Sequence, residues 1–141
     1  MWKELIQRFA PDAQFRPPVR TAALAKAETE LGCALPGELR ELLKETNGVT
    51  AGYSVLVRPL DEIVDGHRTL RTNPEFRSLY MSFDQLLFFS DDGGGDQFGY
   101  RILPDADLGP EIYLWNHEND SRSWAASGLA RFLESRLTGV I

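Results

Sequence analysis

Three consecutive glycines, Gly93, Gly94 and Gly95, join two apolar segments in the run LLFFSDDGGGDQFGY (86–100), with Asp91, Asp92 and Asp96 set around them. Leu86–Phe89 is a short continuous apolar run, the pattern of a strand buried on both faces, and beyond the glycines Phe98, Tyr100 and Ile102 alternate with Gly99, Arg101 and Leu103. After the connection PDADLGP a second alternation sets Ile112, Leu114 and Asn116 against Tyr113, Trp115 and His117. Parallel crossovers need about a dozen or more residues, so short segments joined by Gly-, Pro- and Asp-bearing loops predict adjacent antiparallel strands in a meander. A turn needs one or two glycines. Three in succession point to an unusually tight backbone path or to a site.

The first third reads as helices. Trp2, Leu5, Ile6 and Phe9 fall on one helical stripe that Pro11 stops, and the prolines of FRPPVR force an extended segment. Thr21 is placed to cap a second helix with inner face Leu24, Ala27, Glu28 and Leu31 and Gly32 as terminator. Glu28 on that stripe needs either a rim position or an arginine partner. Leu35 and Pro36 open a third helix with Leu39, Leu42 and Leu43 inward, ended by the left-handed tendency of Asn47 and Gly48. Tyr53–Arg58 predicts a strand stopped by Pro59, and Asp61 a cap for a short helix. Thr72–Asp84 reads as an irregular connection with aromatic anchors. A closing helix begins near Ser127 and buries Leu129, Phe132, Leu133 and Leu137. The fold class is therefore α+β, with N-terminal helices, a central antiparallel meander and a C-terminal closing helix.

A chain of 141 residues, 43% hydrophobic, fits a single domain spanning 1–141, and it holds no apolar stretch near the ~20 residues that span a bilayer. With no signal-peptide pattern at the start, cytoplasmic residence is the expectation. Cys33 is the only cysteine, which excludes an internal disulfide and reads as a small buried apolar residue beside Leu31 and Leu35. The net charge of −6 is uneven: Asp84–Asp120 carries nine acids against Arg101 alone, a local −8 that leaves +2 for the rest. That sign repels nucleic-acid phosphates and attracts a basic protein, although the acids could equally serve solubility.

Catalytic patterns are absent. The glycines lack the Lys and Ser or Thr of a phosphate loop, and Asp96 and Gln97 follow them instead. Asp91, Asp92 and Asp96 supply hard oxygen ligands for a weak Ca²⁺ or Mg²⁺ site, against the plainer reading of a glycine-rich hairpin with solvated acids. His117 and Glu118 resemble the start of a helical zinc motif, but position 121 is Ser and the motif fails. No catalytic residues, metal or cofactor are expected. Tyr113 and Trp115, two apart on one strand face with Trp124 close behind, admit two readings: packing under the terminal helix, or an aromatic anchor rimmed by carboxylates. The candidates for partner binding are Asp91, Asp92, Asp96, Tyr113, Trp115, Glu118 and Asp120.

In order along the chain, a Trp-containing helix, AETELGCALPGELRELLKETNGV, LVRPLDEI, LLFFSDDGGGDQFGYRI, IYLWNHEND and SGLARFLESRL together resemble the SUKH superfamily, the Smi/Knr-like proteins. The resemblance implies an α+β fold with a largely antiparallel sheet and a domain that binds proteins without catalysing a reaction. Bacterial members are largely regarded as immunity proteins that neutralise partner toxins, many of them nucleases, and fungal members regulate cell-wall assembly through protein contacts. It implies neutralisation of a partner toxin by direct binding, and the acidic stretch points to a basic one; an intracellular regulatory or scaffolding module is the alternative, and the aspartate loop by itself supplies a third reading, a metal-dependent hydrolase. No catalytic set carries over, so Asp92 and Asp96 transfer only as part of a structural word.

Overall fold

The computed structural model describes residues 1–103 and 108–141. Among these, six helices and seven strands follow in the order α1 (Trp2–Phe9), β1 (Gln14–Phe15), α2 (Thr21–Leu31), α3 (Gly37–Glu45), β2 (Val49–Ala51), β3 (Ser54–Val57), α4 (Leu60–Thr72), α5 (Pro74–Leu79), β4 (Leu86–Asp91), β5 (Gln97–Ile102), β6 (Leu108–Trp115), β7 (Arg122–Ala126) and α6 (Leu129–Leu137). The α+β expectation holds. The strands form an antiparallel four-stranded meander, β4-β5-β6-β7, and a three-stranded sheet, β1-β2-β3. The first four residues of the expected connection between β5 and β6, 104–107, lie outside the described residues; Leu108–Pro110, expected in that connection, already belong to β6.

One continuous core joins the meander to the helices. Leu87, Phe89, Phe98, Tyr100 and Ile112 from the inner face meet Leu129, Phe132 and Leu133 of α6 and the apolar stripes of α1 to α4. Phe132 packs edge-on against Phe89 and Phe98 with centroids 5.1 and 4.9 Å away, the offset geometry that aromatic quadrupoles favour. All four residues of Leu86–Phe89 are buried, as their unbroken apolarity suggests, because the other face of β4 is covered too. There Leu70, Phe83, Leu86, Phe88 and Trp115 form a second cluster, roofed by Phe76 and Tyr80. Gly99 lies beneath it: a Cβ would stand 2.6 Å from the Leu87 carbonyl oxygen and 2.8 Å from the Phe88 ring, so the ring can lie there only over a glycine.

Several local expectations are corrected. Thr21 is the first residue of α2 and makes no cap, Asp61 lies inside the first turn of α4, and α6 starts at Leu129 rather than Ser127. At α4 and α6, as at α1, the start of the helix is met by an acceptor from elsewhere in the chain. Asn47 Oδ1 accepts from the Leu60 N–H at 2.8 Å, Glu45 accepts from the Trp2 and Lys3 N–H groups at 3.0 and 3.1 Å, and Glu38 accepts from the Leu129 N–H at 3.4 Å. Gly66 does not interrupt α4, which runs to Thr72. Gly32 does end α2, in the left-handed region, and Glu28 takes the arginine option with Arg40 at 3.6 Å while accepting from the Leu35 N–H. Within Thr72–Asp84, read as irregular, Asn73 caps the short helix α5 by accepting from the Glu75 N–H. Phe9, at the end of its stripe, is exposed. The hairpin β2–β3 replaces the single strand expected at Tyr53–Arg58; Tyr53 stands in its turn beside Gly52, whose φ is +60°.

Replacing Asn47 by Ala removes a donor's only side-chain partner at the start of α4 and is expected to cost about 1 kcal/mol in urea unfolding with an unchanged slope. A second outcome follows from His67, whose imidazole is driven down to about 4 by burial and by the Arg71 guanidinium, against a weaker pull from Asp84. The unfolded chain binds this proton at about pH 6.5 and the folded chain only near 4. Stability should therefore fall as pH drops from about 6.5 towards 4, and His67→Gln should flatten that slope in denaturant titrations.

Candidate functional site

Alternate turns of an antiparallel meander return to the same end of the sheet, which brings the β4–β5 turn and the β6–β7 turn together. Their joint is a carboxylate. Asp96 Oδ1 accepts from the His117 backbone N–H at 3.1 Å and from its ring at Nδ1, 2.6 Å away; an ionised carboxylate is an acceptor only, so the imidazole donates. The glycines make this approach possible. Gly93 and Gly95 have φ of +83° and +109°, and a Cβ on Gly95 would stand 2.8 Å from the His117 ring. Gly94 is not in the left-handed region and has ordinary room for a side chain. Gly93 and Gly95 thus build the tight backbone path that is one of the two readings of the triple glycine.

The acids of the first turn hold its own backbone. Asp91 Oδ1 accepts from the Gly93 N–H at 2.9 Å, and Asp92 Oδ1 accepts from the N–H groups of Gly94 and Asp96 at 2.8 and 3.1 Å. From beneath, Arg58 reaches Asp91 Oδ2 with Nη2 at 3.0 Å and Nε at 3.3 Å, and Gln97 Oε1 with Nη1 at 2.9 Å. Arg136 of α6 donates to the Asp91 carbonyl at 2.9 Å while its guanidinium lies over the Phe98 ring. Two arginines distant in sequence thus fasten one turn to β3 and to α6. Among the described residues no group of three or more His, Cys, Asp or Glu side chains is placed to hold a metal ion.

Asp120 anchors the second turn, in the left-handed region at φ 59°, which aspartate tolerates better than most residues. Its Oδ1 accepts from the Trp115 indole N–H at 2.8 Å and from Arg122 at 3.0 Å, and Oδ2 accepts from the Met81 N–H at 2.9 Å. Burial opposes its charge, but these three donors outweigh burial and hold the carboxyl below the usual aspartate range. Arg122 also donates to the Ser82 and Met81 carbonyls and lies 4.9 Å from the Phe83 ring centroid. Asp120 and Arg122 together pin the segment that roofs the second cluster.

The seven candidates therefore separate. Asp92 and Glu118 are exposed; Asp91, Asp96 and Asp120 are half-buried and engaged with neighbouring groups. Tyr113 is half-buried and donates to Glu111 at 3.0 Å. Trp115 is only 3% exposed, with Tyr80 and Phe83 centroids at 5.0 and 5.1 Å, so its ring offers a partner no surface. It packs under Tyr80 and Phe83 rather than under the terminal helix. Of Tyr113, Trp115 and Trp124 the exposed one is Trp124, 58% accessible and directly opposite Tyr113 in the ladder. Strand alternation puts Tyr113 and Trp115 on one face, but only the roof over that face decides which of them is covered.

Gly95→Ala is expected to cost about 1–3 kcal/mol, from a strained φ and from displacing His117, whereas Gly94→Ala should stay within about 0.5 kcal/mol. Thermal and urea unfolding of the two variants check the difference.

A search of curated proteins found no match to the chain. No helix among the described residues is long and apolar enough to cross a membrane. Residues 21–133 match the family described as SMI1-KNR4 cell-wall, SUKH_6, a stretch that starts with α2, includes the whole meander and reaches into α6. The chain belongs to the SMI1-KNR4 family within the SUKH superfamily.

Proposed function

We propose that this chain is a non-catalytic, cytoplasmic protein-binding domain of the immunity type, which neutralises a basic, nuclease-like toxin by direct binding. The observation that carries the reading is the pair of acidic turns clamped together by Asp96 and His117. Asp92 and Glu118 project from this end as exposed carboxylates on backbone that is already held, so docking them costs little ordering entropy. A nuclease keeps a cationic surface for phosphate, and carboxylates so displayed are complementary to it in charge. Family membership supports association with proteins as the mode of action.

The regulatory or scaffolding reading draws on the cell-wall description of the family and shares the same binding surface. The hydrolase reading is weaker, because Asp91, Asp92 and Asp96 direct oxygens at their own turn, at Arg58 and at His117.

Where a toxin gene lies beside this one, its purified product is the probe. Asp92→Asn with Glu118→Gln is expected to lower the association rate about 3- to 10-fold at low salt and to flatten its salt dependence, with dissociation changed less. Unchanged association after both substitutions removes the electrostatic account. Absence of an adjacent toxin together with no protection in a toxicity assay favours the scaffolding reading.

A further inference from the structure

Between the end of α4, the short helix α5 and the segment 80–84 lies a cavity of about 260 Å³ that the acidic turns do not use. Leu70, Phe76, Tyr80 and Phe83 give it an apolar wall, and Arg71 and Arg77 a cationic one. The rings of Phe76 and Tyr80 are 25° from parallel with centroids 6.2 Å apart, and Phe83 stands edge-on to Tyr80 at 5.9 Å. The remaining wall is held from outside. Asp120 accepts from the Met81 N–H at 2.9 Å, and Arg122 donates to the Met81 and Ser82 carbonyls at 2.9 and 2.8 Å. Walls fixed in advance cost little ordering entropy when a ligand enters.

The two guanidinium groups are not fully used by the protein. Arg71 donates through Nη1 to His67 Nδ1 and to the His67 carbonyl at 2.8 and 3.2 Å, and through Nη2 to the Leu86 carbonyl at 3.2 Å. Its Nε faces Asp84 Oδ1 at 3.7 Å, beyond hydrogen-bond range, and that aspartate side chain is 79% exposed. Burial pushes the Arg71 guanidinium below its ordinary range, against the pull of Asp84 and Cys33. An anion in direct contact would offset that burial. Arg77 donates through Nε to the Arg71 carbonyl at 3.2 Å, and its Nη groups have no protein partner among the described residues. Two guanidinium groups against one loosely held carboxylate leave the lining net cationic.

We infer that this cavity is a binding site for a small carboxylic acid with a single aromatic ring, bound as its carboxylate. The carboxylate reaches Arg71 Nε and the Nη groups of Arg77 and displaces Asp84 towards solvent, while the ring lies against Phe76, Tyr80 and Phe83. A guanidinium fork matches the two oxygens of a carboxylate, and a few convergent polar groups on an apolar wall are the usual make-up of a small-molecule pocket. Volume sets the size of the body. At the ~30 Å³ that a water takes in the liquid, the cavity holds about nine waters, room for one ring and a carboxylate. Met81 lines the cavity and is 63% exposed, so the apolar wall continues to solvent and gives the acid a way in.

Phenylacetate is the probe, titrated into the full chain while backbone amide signals are followed by NMR. Amides of 70–84 should shift and saturate together, with a dissociation constant of about 1 mM, a strength open to a ligand of about ten non-hydrogen atoms. The phenylethylammonium ion keeps the ring and reverses the charge, and acetate keeps the charge and lacks the ring; each should bind about tenfold more weakly or worse. Arg77→Gln should weaken phenylacetate about tenfold. Because the Arg77 side chain is exposed, its unfolding midpoint should stay near that of the parent chain. Arg77→Lys, which keeps the charge without the fork, should recover part of the loss. No saturable shift in 70–84 up to about 20 mM, or phenylacetate binding untouched by Arg77→Gln, overturns the inference. Equal affinity for phenylethylammonium overturns it because charge then plays no part, and equal affinity for acetate because the site then holds an adventitious ion only.

Discussion

Helix α3 and the two residues that follow it hold the fold together, because they supply hydrogen-bond acceptors to backbone donors that would otherwise be orphaned across the molecule. Glu38 meets the first N–H of α6, Glu45 meets two at the start of α1, Thr46 Oγ1 accepts from Arg16 N–H at 2.9 Å, and Asn47 meets the first N–H of α4. A helix leaves its first donors unsatisfied, and burying them unpaired is costly. The same helix carries Leu39, Leu42 and Leu43, all fully buried. Polar and apolar faces of the one segment 37–47 thus register α1, α4 and α6 against each other.

The meander takes its place on that scaffold. Its inner face meets α6, and two arginines from outside the sheet, Arg58 and Arg136, reach its glycine-rich end. Asp96 bound to His117 joins the two acidic turns; Asp91, Asp96 and Asp120 are half-buried and engaged with neighbouring groups, Asp92 holds backbone while exposed, and Glu118 faces solvent. This division makes a surface of fixed shape from residues that, in the sequence, look like a solvated acidic stretch. The family's association with protein contacts fits such a surface, since recognition by preorganised charge needs no catalytic machinery.

Much of this was legible in the residues. The unbroken apolar run Leu86–Phe89 signalled burial on both faces, the alternations signalled the meander, and the helical stripes of α1 to α3 and α6 were read at their right places. Short strands were not. β1 has two residues and β2 three, too few for a period-two pattern, and β7 was hidden because a small strand of Ser, Trp and Ala beside a turn has no clear polarity. α5 escaped notice because its apolar residues serve as roof tiles for a second cluster rather than as one stripe on the main core.

The sequence by itself determined what is local: strand and helix periods, the proline and glycine stops, and the sign of charge along each segment, all of which depend on neighbours a few residues apart. Only the tertiary structure decided which acceptor caps which helix, which of Trp115 and Trp124 is exposed, and which aspartates are consumed in holding turns. Those outcomes depend on pairings such as Glu38 with Leu129 and Asp96 with His117. A hydrogen bond formed across 91 or 21 residues leaves no spacing to read.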